Sequence, residues 1–292
     1  MKPIEYFKLA HDFFLLKKDR PYILGLVITD LCNLNCKHCR VANIYKRHMS
    51  YSEIEKHLKT YYSRGARFLY LEGGEPYLWR DNHYHLEDII QLAKIIGYLR
   101  IHIYTNGTFP LTAHPDFTWV SMDGLAETYR TIRGIPIERV LSNIFKADHQ
   151  RLGLIYTVNT INSGEIRKFL NFVHFEFPRL KVMFFFHTPY YGVDSLLLSQ
   201  NEKNEAIRTL IDCKKEGLPV LNSEAGLQAI ASGLYNRPMK ISWVVDQTGE
   251  YPCCRSYGHP EVCKHCGYSS GVEIALLRSI RLNPIKEMVE WF

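Results

Sequence analysis

Apolar positions along the chain fall into two alternating patterns. Residues 22–29, 68–71, 99–104, 118–121, 154–158 and 182–186 are short, nearly continuous apolar runs. Between them lie segments with helical spacing: a helix opened by a Ser50/Glu53 capping box and ending near Arg64, then 86–96, a helix through Arg130 after Met122-Asp123-Gly124, then 136–148 and 163–177. Strands covered on both faces read as unbroken apolar runs, and strands alternating with helices pair in parallel. Six such units are too few for a closed eight-stranded barrel. The pattern therefore predicts an α/β fold, an open, partial (β/α)6 TIM-type barrel.

The flanks read differently. Residues 4–17 form an amphipathic helix with Ile4, Phe7, Phe14 and Leu15 on one side, expected to cover the open edge of the barrel. A membrane-surface helix would carry more basic residues opposite its apolar face. Past the sixth run, residues 241–246 and 250–252, joined by Gln247-Thr248-Gly249, read as a β-hairpin leading into a cysteine-rich loop and helical segments. The expected division is 1–20 for the helix, 21–195 for the barrel, and 196–292 for a small cysteine-rich hairpin and helix extension.

Composition narrows the setting. In 292 residues, 46% hydrophobic content suffices for a sizeable core, and the net charge of +6 is too mild to indicate a nucleic-acid partner. No run of about eighteen uncharged apolar residues predicts a transmembrane segment. The first residues lack the basic, apolar and small-residue order of a signal peptide, so a cytoplasmic, reducing location is expected. Eight cysteines suit that location if most of them bind metal.

Three of the eight, Cys32, Cys36 and Cys39, form a C-x3-C-x2-C run directly after the first strand. Three thiolates on one loop can hold an iron–sulfur cluster while leaving one iron without a cysteine, open to bind a small molecule. A structural zinc ion wants four ligands, and the nearest spare donor is His38, wedged between two of the cysteines. The segment Cys32-Asn33-Leu34-Asn35-Cys36-Lys37-His38-Cys39 resembles the cluster loop of the radical S-adenosylmethionine (radical SAM) superfamily. Leu71-Glu72-Gly73-Gly74-Glu75-Pro76 is similar to that family's GGEP motif. Glycines allow close backbone approach, and carbonyls with a carboxylate can accept hydrogen bonds from an ammonium group.

The resemblance implies a 4Fe–4S cluster on Cys32, Cys36 and Cys39 and S-adenosylmethionine (SAM) bound at it. It implies that His38 packs near the adenine, and that Gly73, Gly74, Glu75 and Pro76 receive the methionine amino group. Asn106 lies in a segment beside SAM, Ser121 near its ribose, and Asn159 in contact with it. Asp123 reads equally as a turn or cap residue, and Asn162 as the cap of the following helix. His187, Tyr190 and Tyr191 either line the substrate face or simply pack.

The later cysteines, Cys253, Cys254, Cys263 and Cys266, follow the hairpin as in the SPASM and Twitch domains of radical SAM enzymes, which carry auxiliary clusters. Four cysteines support one auxiliary iron–sulfur cluster, and structural zinc on the same residues is the alternative. Cys253 and Cys254 are chain neighbours that project differently, so one of them alone can be the ligand. His259 is a spare donor, and Cys213 reads as a small core residue.

The implied activity is reductive cleavage of SAM to a 5′-deoxyadenosyl radical that modifies a small molecule, lipid or peptide by hydrogen abstraction or addition. The electron would come from a flavodoxin or ferredoxin. The alternative, a non-catalytic redox sensor or scaffold, has no use for a SAM pocket.

Overall fold

The computed structural model describes residues 2–147, 151–190, 192, 194–237 and 239–279. Asp148 and Tyr191 lie outside them. Helix α1 (Lys2–Ala10) passes into a π-helical turn, His11–Leu15. Strand β1 (Ile23–Thr29) follows, then α2 (Tyr51–Arg64), β2 (Phe68–Gly73), α3 (Leu86–Ile96), β3 (Arg100–Thr105) and β4 (Phe117–Ser121). Next come α4 (Ala126–Arg133), α5 (Glu138–Lys146), β5 (Leu152–Val158), α6 (Ile166–Glu176), β6 (Val182–Phe186), α7 (Gln200–Lys215) and α8 (Glu224–Ser232). Strands β7 (Ser242–Val245) and β8 (Glu250–Pro252) precede α9 (Pro260–Cys263) and α10 (Ser269–Arg278).

One sheet runs β6-β5-β4-β3-β2-β1-β7-β8. The pairs from β1 through β6 are parallel, as the alternation predicts, and the sheet is open. The expected capping box forms: Ser50 Oγ accepts from Glu53 N, and the Glu53 carboxylate accepts from Ser50 N at 2.7 Å. Side chains alternate along each strand. Val120, Leu154, Tyr156 and Phe184 pack outward against the helices, and Trp119, Ile155 and Met183 pack together on the other face.

The structure differs from the expectation in three places. The hairpin forms, but β7 pairs in parallel with β1, from Ile23↔Ser242 to Leu26↔Val245, so it extends the barrel sheet. The β-α alternation also runs past residue 195. Ala206, Ile207 and Leu210 of α7 pack on the same core as Val182 and Phe184, and Val220 bridges Val182 in parallel. Finally, the amino-terminal helix closes the bottom of the barrel instead of its edge. Leu9, with Tyr6 and Phe13, packs on Tyr22, Ile23, Phe68, Leu99 and Ile241, where strands begin. Ile4, Phe7 and Leu15, expected to face inward, are 77%, 76% and 70% exposed. Buried Asp12, paired with Lys18 at 2.9 Å and Arg20 at 3.1 Å, fixes which face turns in, and the π turn shifts the helical phase beyond it.

Candidate active site

The three early cysteines sit on the loop that leaves the carboxyl end of β1, where parallel β/α folds place their ligands. The loop is irregular, so its backbone groups find partners in side chains. Asn43, at φ 60°, accepts from Cys32 N at 2.9 Å and donates to Cys32 O at 3.1 Å. The buried Asp30 carboxylate accepts from the backbone of Tyr45, Lys46 and Arg47. Cys39 N donates to Cys36 O, and Lys37 N to Ile132 O in α4.

Donors also point at the sulfurs. Leu34 N lies 3.4 Å from Cys32 Sγ, Asn106 Nδ2 3.7 Å from it, and Arg133 Nη1 4.0 Å from Cys36 Sγ. Burial pushes the Cys36 thiol up to about 11, opposed by the Arg133 charge, and raises Cys32 as well. A cation that replaces the proton would let such buried thiols ionise.

The Gly73–Pro76 turn locks this loop against β2. Gly74 N donates to Thr29 O and Glu75 N to Leu31 O, each at 2.9 Å. Glycine is required for that approach: a Cβ on Gly73 would lie 2.0 Å from Thr29 O, and one on Gly74 2.2 Å from Leu31 O. Glu75 is fully buried, and its carboxylate is engaged inward. It accepts from Asn106 N at 2.7 Å, Thr105 Oγ1 at 2.8 Å and Tyr77 N at 3.1 Å. Burial pushes its pKa up to about 7 against those three hydrogen bonds. Pro76 opens the short 3-10 turn that Glu75 caps. Asn106 then carries the link back to the cysteines through Asn33 Oδ1 at 2.9 Å and Cys32 Sγ.

On the far side, Asp123 is completely buried. It binds Arg133 Nε at 2.7 Å and Thr157 N at 2.6 Å, so its structural role is explicit. Burial opposes the Arg133 charge, but Asp123 and the Cys36 sulfur more than offset it. His38 Nε2 stands 3.7 Å from Asp123, and burial pushes its ring down to about 4, so it is neutral at pH 7.

Ser121 is half-buried at the carboxyl end of β4. Asn159 is fully buried and spends its side chain locally, accepting from Ile161 N and donating to Thr157 O. Asn162 takes the N-cap position of the 3-10 turn that follows, as the cap reading expects, but its side chain makes no cap bond and instead donates to Asp123 O and Thr157 O, tying the segment after β4 to β5. His187 is buried with Nε2 3.0 Å from both Asp194 oxygens.

The description "Radical SAM superfamily" fits residues 26–173, half of the chain and the whole of this loop-and-turn assembly. The chain belongs to the radical SAM superfamily.

Among relatives, a probable GTP 3',8-cyclase of Methanothermobacter thermautotrophicus is 36% identical over 135 residues, 42% of this chain and 43% of its own. The AdoMet-dependent heme synthase of Methanosarcina barkeri is 33% identical over 166 residues, 51% and 46% of the two chains. The chain thus spans less than half the length of these curated relatives. Streptococcus suis SuiB bound to S-adenosylmethionine superposes with a TM-score of 0.67 at 12% identity, over 98% of this chain and 71% of that one. Native anSMEcpe with bound AdoMet and Kp18Cys peptide gives 0.63 at 18% identity, over 83% and 76%. Both structural likenesses bear on the fold alone.

As a radical SAM member the protein is an enzyme whose cofactors are a 4Fe–4S cluster and SAM. No helix among the described residues is long and apolar enough to cross a membrane.

The later cysteines, Cys253, Cys254, Cys263 and Cys266, all line one cavity of about 140 Å³, with Tyr70, Tyr104 and Trp119 of the strands facing them. Both neighbours of the Cys253-Cys254 pair reach it because Cys253 takes a left-handed φ of 72°. Their thiols hydrogen-bond: Cys254 is pushed down to about 7 by the Cys253 thiol against burial, and Cys253 is raised. The Arg237 guanidinium hydrogen-bonds Cys263 O and lies beside Cys266. Among the described residues no three Cys, His, Asp or Glu side chains are arranged around a single metal ion. His259 is exposed and outside the cavity lining, and Cys213 is buried in the core.

Asn43, Asp30 and Arg237 were missed from the sequence. Each acts on a backbone or sulfur partner far along the chain, and no local motif marks them.

Proposed function

We propose that Cys32, Cys36 and Cys39 hold the 4Fe–4S cluster, and that the Gly73–Pro76 turn, Asn106 and Ser121 form the adjoining SAM pocket. The carrying observation is the lock between the two motifs: Gly74 and Glu75 hydrogen-bond the cysteine loop's backbone, and Asn106 joins the Glu75 carboxylate to Cys32. When bound and reduced, the cluster supplies the electron that splits SAM into methionine and a 5′-deoxyadenosyl radical.

The chain's own residues bind and position. The N–H groups near the sulfurs favour thiolate character, and the Gly73 and Gly74 backbone offers carbonyls to an ammonium group. Glu75, with three donors of its own, shapes the turn. His38, neutral and buried, presents a flat ring beside the cysteines. Tyr70 and Tyr104 wall a cavity along the strands that offers a space for a substrate.

The substrate is a small molecule, lipid or peptide, and the reductant a flavodoxin or ferredoxin. Anaerobic protein reconstituted with iron and sulfide should, with dithionite, convert SAM to equal amounts of methionine and 5′-deoxyadenosine. Absence of 5′-deoxyadenosine from iron-loaded protein would refute the reading.

A second metal site is supported by four thiols lining one cavity, which would have to draw together to share a metal ion. An auxiliary iron–sulfur cluster on Cys253, Cys254, Cys263 and Cys266, in a SPASM- or Twitch-like region, suits four soft donors beside Arg237. In a Cys263→Ala/Cys266→Ala variant iron should fall while SAM cleavage survives. Loss of zinc at constant iron would establish the zinc alternative.

A further inference from the structure

The helix that plugs the barrel has a second face with no partner among the described residues. Ile4, Phe7 and Leu15 recur at helical spacing on its outer side, each at least 70% exposed, with Leu16 half exposed beside them. Other large exposed apolar side chains, such as Ile95, Phe175 and Leu234, stand singly on separate elements, as is ordinary for a protein surface. Ile4 and Phe7, one turn apart, with Leu15 and Leu16 exposed in and after the π turn, concentrate apolar surface on one segment, and such concentrations mark contact with another apolar phase.

The charge around the stripe selects the phase. The helix alone carries fewer basic residues than a membrane-surface helix calls for, but the fold brings Arg20, Lys240 and Arg278 beside it, so that Lys8, Lys17, Lys18, Arg20, Lys240 and Arg278 stand against the three carboxylates Glu5, Asp12 and Asp19. Each carboxylate already has a cation: Glu5 pairs with Arg67, Asp12 with Lys18 and Arg20, and Asp19 with Arg278 and Lys240. Lys8 and Lys17 are exposed beside the apolar stripe. We propose that this face docks the enzyme on an anionic lipid bilayer, with Ile4, Phe7 and Leu15 entering the headgroup boundary and the lysines meeting the lipid phosphates.

The inner face of the same helix gives the docking a consequence. Ile23, Phe68 and Ile274 line the cavity of the later cysteines and belong to the cluster packed by Tyr6, Leu9 and Phe13. The bilayer would therefore lie directly beneath the floor of that cavity.

The test is co-sedimentation of the full chain with vesicles of phosphatidylcholine containing roughly one-third phosphatidylglycerol. Binding to these vesicles is expected, weakening by about tenfold or more in pure phosphatidylcholine and as salt rises from about 0.1 to 0.5 M. Ile4→Ser/Phe7→Ser/Leu15→Ser should weaken it about tenfold or more with an unchanged melting temperature, because these side chains are exposed. Lys8→Glu/Lys17→Glu should remove the preference for anionic vesicles. Failure of the full chain to sediment with anionic vesicles overturns the proposal, as does undiminished binding by the triple serine variant. A dimer in light scattering that the serine variant abolishes, without vesicle binding, overturns it in favour of a second copy of the chain.

Discussion

The two cysteine groups are built in opposite ways. Cys32, Cys36 and Cys39 lie within eight residues, and their loop is held by backbone hydrogen bonds to the neighbouring strand end and by buried carboxylates at Asp30 and Glu75. Cys253, Cys254, Cys263 and Cys266 are spread over fourteen residues on a strand end, a left-handed turn and the short α9. Their region is anchored on β6 at Gly267, whose carbonyl accepts from Phe186 N at 3.0 Å and whose N–H donates to Thr188 Oγ1. The first group is braced by the sheet beneath it, and the second is carried on segments that follow the hairpin.

The glycine at each anchor offers the strongest way to break that contrast. Gly74→Ala puts a methyl 2.2 Å from Leu31 O and 2.6 Å from Asp30 O, both backbone atoms that cannot swing away. The turn must shift, and 5′-deoxyadenosine formation should fall by about a hundredfold or more, since a displacement of roughly 1 Å costs that much. Gly267→Ala meets Phe186 O at 1.9 Å. It should loosen the second group alone, lowering total iron while SAM cleavage persists. Equal damage to both readouts by either variant would show that the two sites are one cooperative unit.

Glu75→Gln sharpens the comparison through stability. The amide turns one acceptor into a donor facing three donors, which should cost about 1–3 kcal/mol in chemical denaturation. The wild-type carboxyl has its folded pKa pushed up to about 7 from 4.5. Its contribution is therefore full below pH 4.5 and lost as pH rises through 7, and the variant should lack that slope.

The smallest effect is expected in the cavity wall. Burial pushes His102 down to about 4 from 6.5. Its contribution is present above pH 6.5 and lost as pH falls through 4, the reverse of Glu75. His102→Phe should flatten the acid limb of a melting-temperature profile measured between those values.

The sequence made the barrel legible because every strand from β1 to β6 is a local apolar run between helical segments. The radical SAM triplet and the Gly-Gly turn were legible for the same reason, being contiguous motifs. What escaped was set by distance. That β7 pairs with β1 depends on strands more than two hundred residues apart. The inward use of Glu75 depends on Thr105 and Asn106, thirty residues on. Asn43 sits in an irregular loop where only the folded backbone reveals which amide it serves. Helical spacing identified the apolar stripe at Ile4, Phe7 and Leu15, but its direction was set by buried Asp12 and a π turn, neither of which spacing reports.

The most direct test of the account compares Cys36→Ala with Cys266→Ala, both reconstituted anaerobically and assayed with dithionite and SAM. The first should form no 5′-deoxyadenosine, and the second should retain most of the wild-type yield with less iron. Turnover surviving in Cys36→Ala would contradict the assignment of the early triplet as the site of SAM cleavage.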